Sequence, residues 1–377
     1  MLTPILRLGS YQRGDLLNLV EIDPLELKYQ TAPSTLSRSL AGSLKSECKE
    51  MATPKPGKKH QYQLHRHGGW WNRARRFSNQ KLFPLLLILA FLAITPPIFL
   101  HFRLRRFQQM QLRKCGWLRE PPLVCAHGGD SSKAFPNTMA AYRIALLSQV
   151  DCIEIDISRS SDGILFALHD RDLQRISGNN TVKVGNLSSK EIKALNGGSH
   201  QYPQEFQNEG IPTTEDALGL ISRSVRQVIL DAKVGPPSYE KRLAADIISV
   251  VDGMRCKNCL IWAKSDLLVR DIIKLAPDLM VGYIVMKDPS TGARTNLLRM
   301  RDAKVVGIYH HLVDSKLMRI LHGRNKKVYA WTVDDEDSMS KMLYEHVDAI
   351  VTSHPSLLQH LMQQIRTECL EEGFSIP

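Results

Sequence analysis

At 377 residues the chain is long enough for one large domain with appendages, and 43% hydrophobic with 23% charged residues is an ordinary globular composition. A net charge of +12 would suit a nucleic-acid partner if it were spread along the chain. It is not: residues 51–120 hold fourteen Lys/Arg against one acid, which leaves the remainder about one unit negative and argues against a nucleic-acid-binding face.

Residues 1–81 read as a basic, poorly folded arm. Ser, Thr, Pro, Lys and Arg dominate residues 32–59, and no amphipathic period persists. The acids Asp15, Glu21, Asp23 and Glu26 speak against a transit peptide. Residues 82–100, LFPLLLILAFLAITPPIFL, run for 19 positions without a charge, the length of one transmembrane helix. The run starts too late for a signal peptide, and Pro96-Pro97 is expected to kink or end the helix. Five Lys/Arg lie in the twenty residues before it and six in the twenty after, so the positive-inside rule leaves topology and organelle open. The expectation is a single-pass membrane protein, with residues 101–120 as a basic tether and 365–377 as a C-terminal tail.

From residue 121 to about 364, short β-rich runs alternate with helix-like stretches. Strands are expected over 123–127, 152–158, 228–233, 260–265, 281–285, 305–309, 328–333 and 348–353. Amphipathic stretches at 139–148, 239–252, 267–275, 316–322 and 337–344 lie between them. Eight strands separated by helices over about 242 residues predict an α/β fold, a (β/α)8 TIM barrel. A ninth run, ILFALHD at 164–170, follows the second strand across Asp162-Gly163, a hairpin turn signal, and predicts a small antiparallel insertion. Seven cysteines are an odd number and imply no complete disulfide framework. Cys256 and Cys259 form a CxxC pair with no second pair to complete a zinc site, which suits one local disulfide or two thiols. Asn179 and Asn186 head glycosylation sequons compatible with a lumenal domain.

The chemistry lies at the strand ends, where barrels keep their active sites. His127 closes LVCAH; Glu154 and Asp156 sit in CIEID; His169 follows ILFAL; Asp231 and Lys233 end VILDAK. Two carboxylates spaced i, i+2 on a strand share a face, so Glu154 and Asp156 can hold one divalent cation between them. Oxygen ligands suit a hard ion such as Ca2+ or Mg2+. A cation and a lysine stabilise negative charge on a phosphodiester, while histidines titrating near neutrality can move protons. His310 and His311 read as structural or surface residues, and Arg171 and Arg175 as partners in loop salt bridges in preference to a replacement phosphate clamp.

These pieces, in order AHGG, AFPNTMAAY, EIDISRSSDG, LHDRDLQR, GIPTTEDAL, VILDAK, YAWTVDDEDSM and DAIVTSHP, resemble the glycerophosphodiester phosphodiesterase family from residue 123 to about 361. The resemblance implies hydrolysis of glycerophosphodiesters to sn-glycerol 3-phosphate and an alcohol. It also implies His127 and His169 as the acid/base pair, and Glu154, Asp156 and Asp231 as ligands of Ca2+ or Mg2+. Lys233 would contact the phosphate and Trp331 would line the substrate site. A lysophospholipid substrate and a non-catalytic phosphodiester-binding protein are the alternatives. The chain departs from the family pattern where Gly128 replaces an arginine and Pro136 a glutamate. On that reading, an arginine returned to position 128 should restore a phosphate clamp, unless position 128 has positive φ, where a side chain would strain the loop instead.

Overall fold

β-branched and aromatic side chains in short runs favour a pleated, half-buried surface, and here they close into a barrel. The computed structural model describes residues 72–195, 210–287 and 291–375. Of the arm expected over residues 1–81, residues 1–71 lie outside the described residues, whereas 72–81 belong to a helix.

The eight parallel strands are β1 (Leu123–His127), β2 (Cys152–Arg159), β4 (Gln227–Ala232), β5 (Cys259–Ala263), β6 (Met280–Val285), β7 (Val305–Tyr309), β8 (Lys327–Trp331) and β9 (Ala349–Thr352). They pair in sequence order, and β1 pairs with both β2 and β9, which closes the barrel. The short β3 (Leu165–Ala167) folds back antiparallel on β2 with Ile157 opposite Ala167, the expected hairpin. Gly163 turns it at φ +94°.

Period-2 alternation decides what faces inward. One buried cluster takes side chains from all eight parallel strands, among them Cys125, Cys152, Ile229, Trp262, Val305 and Tyr329. The intervening positions, such as Val124, Ile153 and Leu230, join the larger cluster that packs the helices onto the barrel. Trp262 needs room inside: a Cβ at Gly307 would lie 2.8 Å from its ring. The lower barrel is thus a packed floor. Two residues beyond Cys125, Cys152 and Ile229, the same inward face carries His127, Glu154 and Asp231.

At the N-terminal side one helix, Asn72–Cys115, includes the expected span. Among the described residues it is the one helix long and apolar enough to cross a membrane, and its leucines and phenylalanines from Leu82 to Phe107 are exposed. Pro96-Pro97 does not end it. The turn before them is held by Thr95, whose hydroxyl donates to the Phe91 carbonyl at 2.7 Å, the kind of local bond that tolerates proline in apolar helices. The tether expected over 101–120 is also different. The helix continues to Cys115, and a turn at Gly116–Leu118 buries Trp117 and Leu118. Its basic residues have acidic partners: Arg113 meets Glu345 at 2.7 Å, and Lys114 meets Glu368 at 3.1 Å and Glu372 at 2.7 Å.

The last helix, Pro355–Glu371, runs past the boundary expected at 364 and buries Ile365 and Cys369. Three disulfides, Cys115–Cys369, Cys125–Cys152 and Cys256–Cys259, correct the expectation of no framework. Residue count could not show them, because the partners are brought together by register and packing: Cys125 lies opposite Cys152 across β1–β2. The seventh cysteine, Cys48, lies outside the described residues.

Candidate active site

His127 ends β1 opposite Glu154 of β2, and Asp156 of β2 lies opposite Asp231 of β4. Three neighbouring strand ends therefore deliver one imidazole and three carboxylates to the mouth. Ligand atoms of His127, Glu154 and Asp156 all lie within 4.8 Å of one another. Asp231 stands beside this group with Lys233 as its partner. The Lys233 ammonium donates to an Asp231 oxygen and lies 2.7 Å from Oδ1 of Asp156.

The loop after β1 shapes the site through its backbone. Gly128 and Gly129 both adopt positive φ, +62° and +84°. A Cβ on Gly129 would lie 2.6 Å from the Ala141 backbone, so this crossing over the Met139–Leu147 helix requires glycine. Gly128 N–H donates to the Glu154 carboxylate at 2.9 Å and orients it. Asn137, also left-handed at φ +60°, grips Asp156 twice. Its amide donates to Oδ2 at 3.0 Å, and its carbonyl accepts the Asp156 backbone N–H at 3.0 Å and the Tyr142 hydroxyl at 3.3 Å.

His169 arrives by another route. Leu168 N–H donates to the Asp156 carbonyl, and the Ser158 hydroxyl donates to the Leu168 carbonyl at 2.6 Å, which ties the end of the hairpin to β2. His169 then caps the Asp170–Ser177 helix, its Nδ1 accepting the Arg171 backbone N–H at 3.1 Å. With Nδ1 accepting, a neutral His169 carries its proton on Nε2.

Burial dominates the electrostatics. It raises the Glu154 carboxyl, and the neighbouring charges of Asp156 and Asp231 push it well above the usual carboxylate range. Burial also opposes ionisation of Asp156, but Lys233, aided by His169 and Arg171, holds that carboxyl well below the range. Burial works against the charge on Lys233, yet the three carboxylates outweigh it and raise its pKa. Burial lowers His127, only partly opposed by Asp156, and burial with Lys233 lowers His169 further. Both imidazoles are therefore neutral at pH 7.

The donor set fits a hard divalent cation. Oδ1 of Asp231 is buried without a hydrogen-bond partner, and the candidate ligands are carboxylate oxygens with at most one imidazole. An orphaned buried oxygen is costly unless a cation satisfies it.

Residues 127–357, more than half of the chain, match the model of the Glycerophosphoryl diester phosphodiesterase family. The chain belongs to this family. GDPD4, a glycerophosphodiester phosphodiesterase of Arabidopsis thaliana, is 60% identical over 314 residues, covering 82% of this chain and 95% of the relative. A glycerophosphodiester phosphodiesterase of Caldanaerobacter subterraneus is 29% identical over 248 residues, 64% of this chain and 98% of the relative. Among solved structures, an Oleispira antarctica phosphodiesterase in complex with the product sn-glycerol-3-phosphate is 27% identical, with a TM-score of 0.57 over 64% of this chain and 97% of that one.

In this glycerophosphoryl diester phosphodiesterase barrel, six of the seven expected site residues converge. The seventh, Trp331, ends β8 in an aromatic group with Tyr309, whose ring centre lies 5.9 Å away, and its carbonyl faces Nδ1 of His310 at 3.3 Å. His310 is buried and structural, as expected; His311 is exposed and stacks on Tyr309. Sequence reasoning gave no role to Asn137, although it lies in the PNT turn. An asparagine between a proline and a helix N-cap, a residue type that readily turns left-handed, was the available signal.

Proposed function

We propose that this chain hydrolyses glycerophosphodiesters to sn-glycerol 3-phosphate and an alcohol. The observation that carries the reading is the convergence of His127, Glu154, Asp156, His169, Asp231 and Lys233 at adjacent strand ends above a packed floor. Glu154, Asp156 and Asp231 would hold a divalent cation, Ca2+ or Mg2+, and the buried Oδ1 of Asp231 has no other partner. Such a cation, when bound, supplies positive charge opposite the charge that grows on the phosphoryl oxygens.

The chain's own residues do the rest. Gly128 N–H and Asn137 fix the two β2 carboxylates, so little reorganisation is needed at the moment of reaction. Neutral His127 can take the proton of the attacking water as the new O–P bond forms. His169 presents the Nε2 proton that the departing alkoxide needs as the old P–O bond breaks. His127 also falls within the tightest donor group; burial keeps its ring neutral and so one nitrogen free of a proton, and Asp231 supplies the third carboxylate. Lys233 stays charged and faces the phosphate.

His127→Ala and His169→Ala should each lower kcat for glycerophosphocholine by about 100- to 10,000-fold while the fold, followed by circular dichroism, is kept. Wild-type turnover in both variants would remove the acid/base assignment. The exposed apolar helix supports a second part of the reading, a barrel anchored to a membrane by one span.

A further inference from the structure

We propose that Arg171 is a substrate-binding residue of this site, a guanidinium aimed at the phosphate from the first turn of the Asp170–Ser177 helix. The inference rests on the phosphodiesterase reading above and adds a binding group to it.

The need comes from the state of the other cations. Lys233 spends donors on Asp156 and Asp231, so it reaches a substrate oxygen with little left to give. Position 128 offers nothing: its φ is +62°, and a Cβ there would lie 2.9 Å from Pro136. Arg171 is different. Its guanidinium lies 3.9 Å from Oδ2 of Asp156, at the outer limit of an ion pair, with the side chain 55% exposed. Among the described residues it donates no side-chain hydrogen bond, and Asp156 is its one ion-pair partner. Five donors in a planar fork are thus open at the edge of the carboxylate group, the geometry that suits two oxygens of a phosphate.

Neighbouring arginines show what a structural role looks like. Arg175, one turn along the same helix, pairs with Asp172 at 3.4 Å and lies over the Phe135 ring at 4.7 Å. Arg159 holds Asp246 at 2.6 Å with its side chain mostly buried. The loop salt bridge expected of both Arg171 and Arg175 is close in Arg175, at 3.4 Å, and stretched to 3.9 Å in Arg171. Placement is secured by His169, which binds the Arg171 backbone N–H and so keeps the guanidinium on the same turn as an imidazole of the site. The arginine's charge reaches that site, where it acts on His127, His169 and Asp156.

The sign of two binding constants tests the idea. Removing a positive charge beside Asp156 should weaken an anion and leave a divalent cation bound as well as before, or more tightly. The full chain in detergent is titrated calorimetrically with sn-glycerol 3-phosphate and, separately, with Ca2+. The variants are Arg171→Ala, Arg171→Lys and Arg226→Ala, the last removing an exposed arginine before β4 at the other end of the barrel. Arg171→Ala should weaken sn-glycerol 3-phosphate by about ten- to a hundredfold, with a matching loss in kcat/KM for glycerophosphocholine. Arg171→Lys should recover part of both, and Arg226→Ala should match wild type. Unchanged phosphate binding in Arg171→Ala, with turnover intact in wild type, overturns the role of Arg171 and spares the phosphodiesterase reading. Parallel loss of Ca2+ and phosphate would show an arginine that only positions Asp156, and overturns it too. A wild-type chain that neither binds nor hydrolyses the diester sinks the reading and this inference together.

Discussion

Position 128 is where the backbone, rather than a side chain, does the chemical service. Its N–H holds the Glu154 carboxylate at 2.9 Å, and its positive φ and the Pro136 contact leave no room for a Cβ. Gly128→Ala should therefore cost roughly 1–3 kcal/mol of stability and lower turnover, and Gly128→Arg should do no better. Chemical denaturation beside an activity assay checks both; a gain in kcat/KM with Arg would show that the loop yields. Of the two expectations for an arginine here, a restored clamp or a strained loop, the positive φ selects the strained loop. The choice was open because the sequence carries no φ angle. His127, Glu154, Asp156, Asp231 and Lys233 were legible because alternation along a strand converts spacing directly into facing. Asn137 was not, and Arg171 stood open between a salt bridge and a phosphate clamp, since each comes from a turn or a helix start whose direction depends on packing.

At the scale of elements, each expected barrel strand matches an observed one to within about two residues, because β-branched runs bounded by polar turns leave few alternatives. The Asp170–Ser177 and Thr214–Ile221 helices were harder to see, being two turns each and begun by a capping residue rather than by a long apolar stripe. The ends of the domain were misread for another reason. Arg113, Lys114 and Cys115 look like a basic tether until Glu345, Glu368 and Cys369 are brought beside them by the fold. A fragment of residues 121–364 should consequently be less stable than one of residues 101–377. It lacks the buried Trp117, Leu118, Ile365 and Cys369 side chains, and the large ones among them contribute about 1.5–3 kcal/mol each. Urea midpoints of the two fragments decide the point; equal midpoints would mean that these segments add nothing to the barrel.

For the whole molecule, the basic charge, the apolar helix and the barrel divide the labour between location and chemistry. Deleting residues 82–100 should move the protein to the soluble fraction on carbonate extraction while its barrel keeps its activity, since the six converging site residues all lie within 127–233. A deletion variant still held in the pellet would mean that another segment carries the anchor. The central claim concerns the reaction itself, and phosphorus NMR reads it most directly. The purified full chain is incubated in detergent with glycerophosphocholine, with added Ca2+, with Mg2+ or with chelator, beside Glu154→Ala and Asp156→Ala. The account predicts sn-glycerol 3-phosphate from wild type with a divalent cation, and none with chelator or in either variant. Product that forms equally in chelator and in both variants, or no product from wild type under any condition, would contradict it.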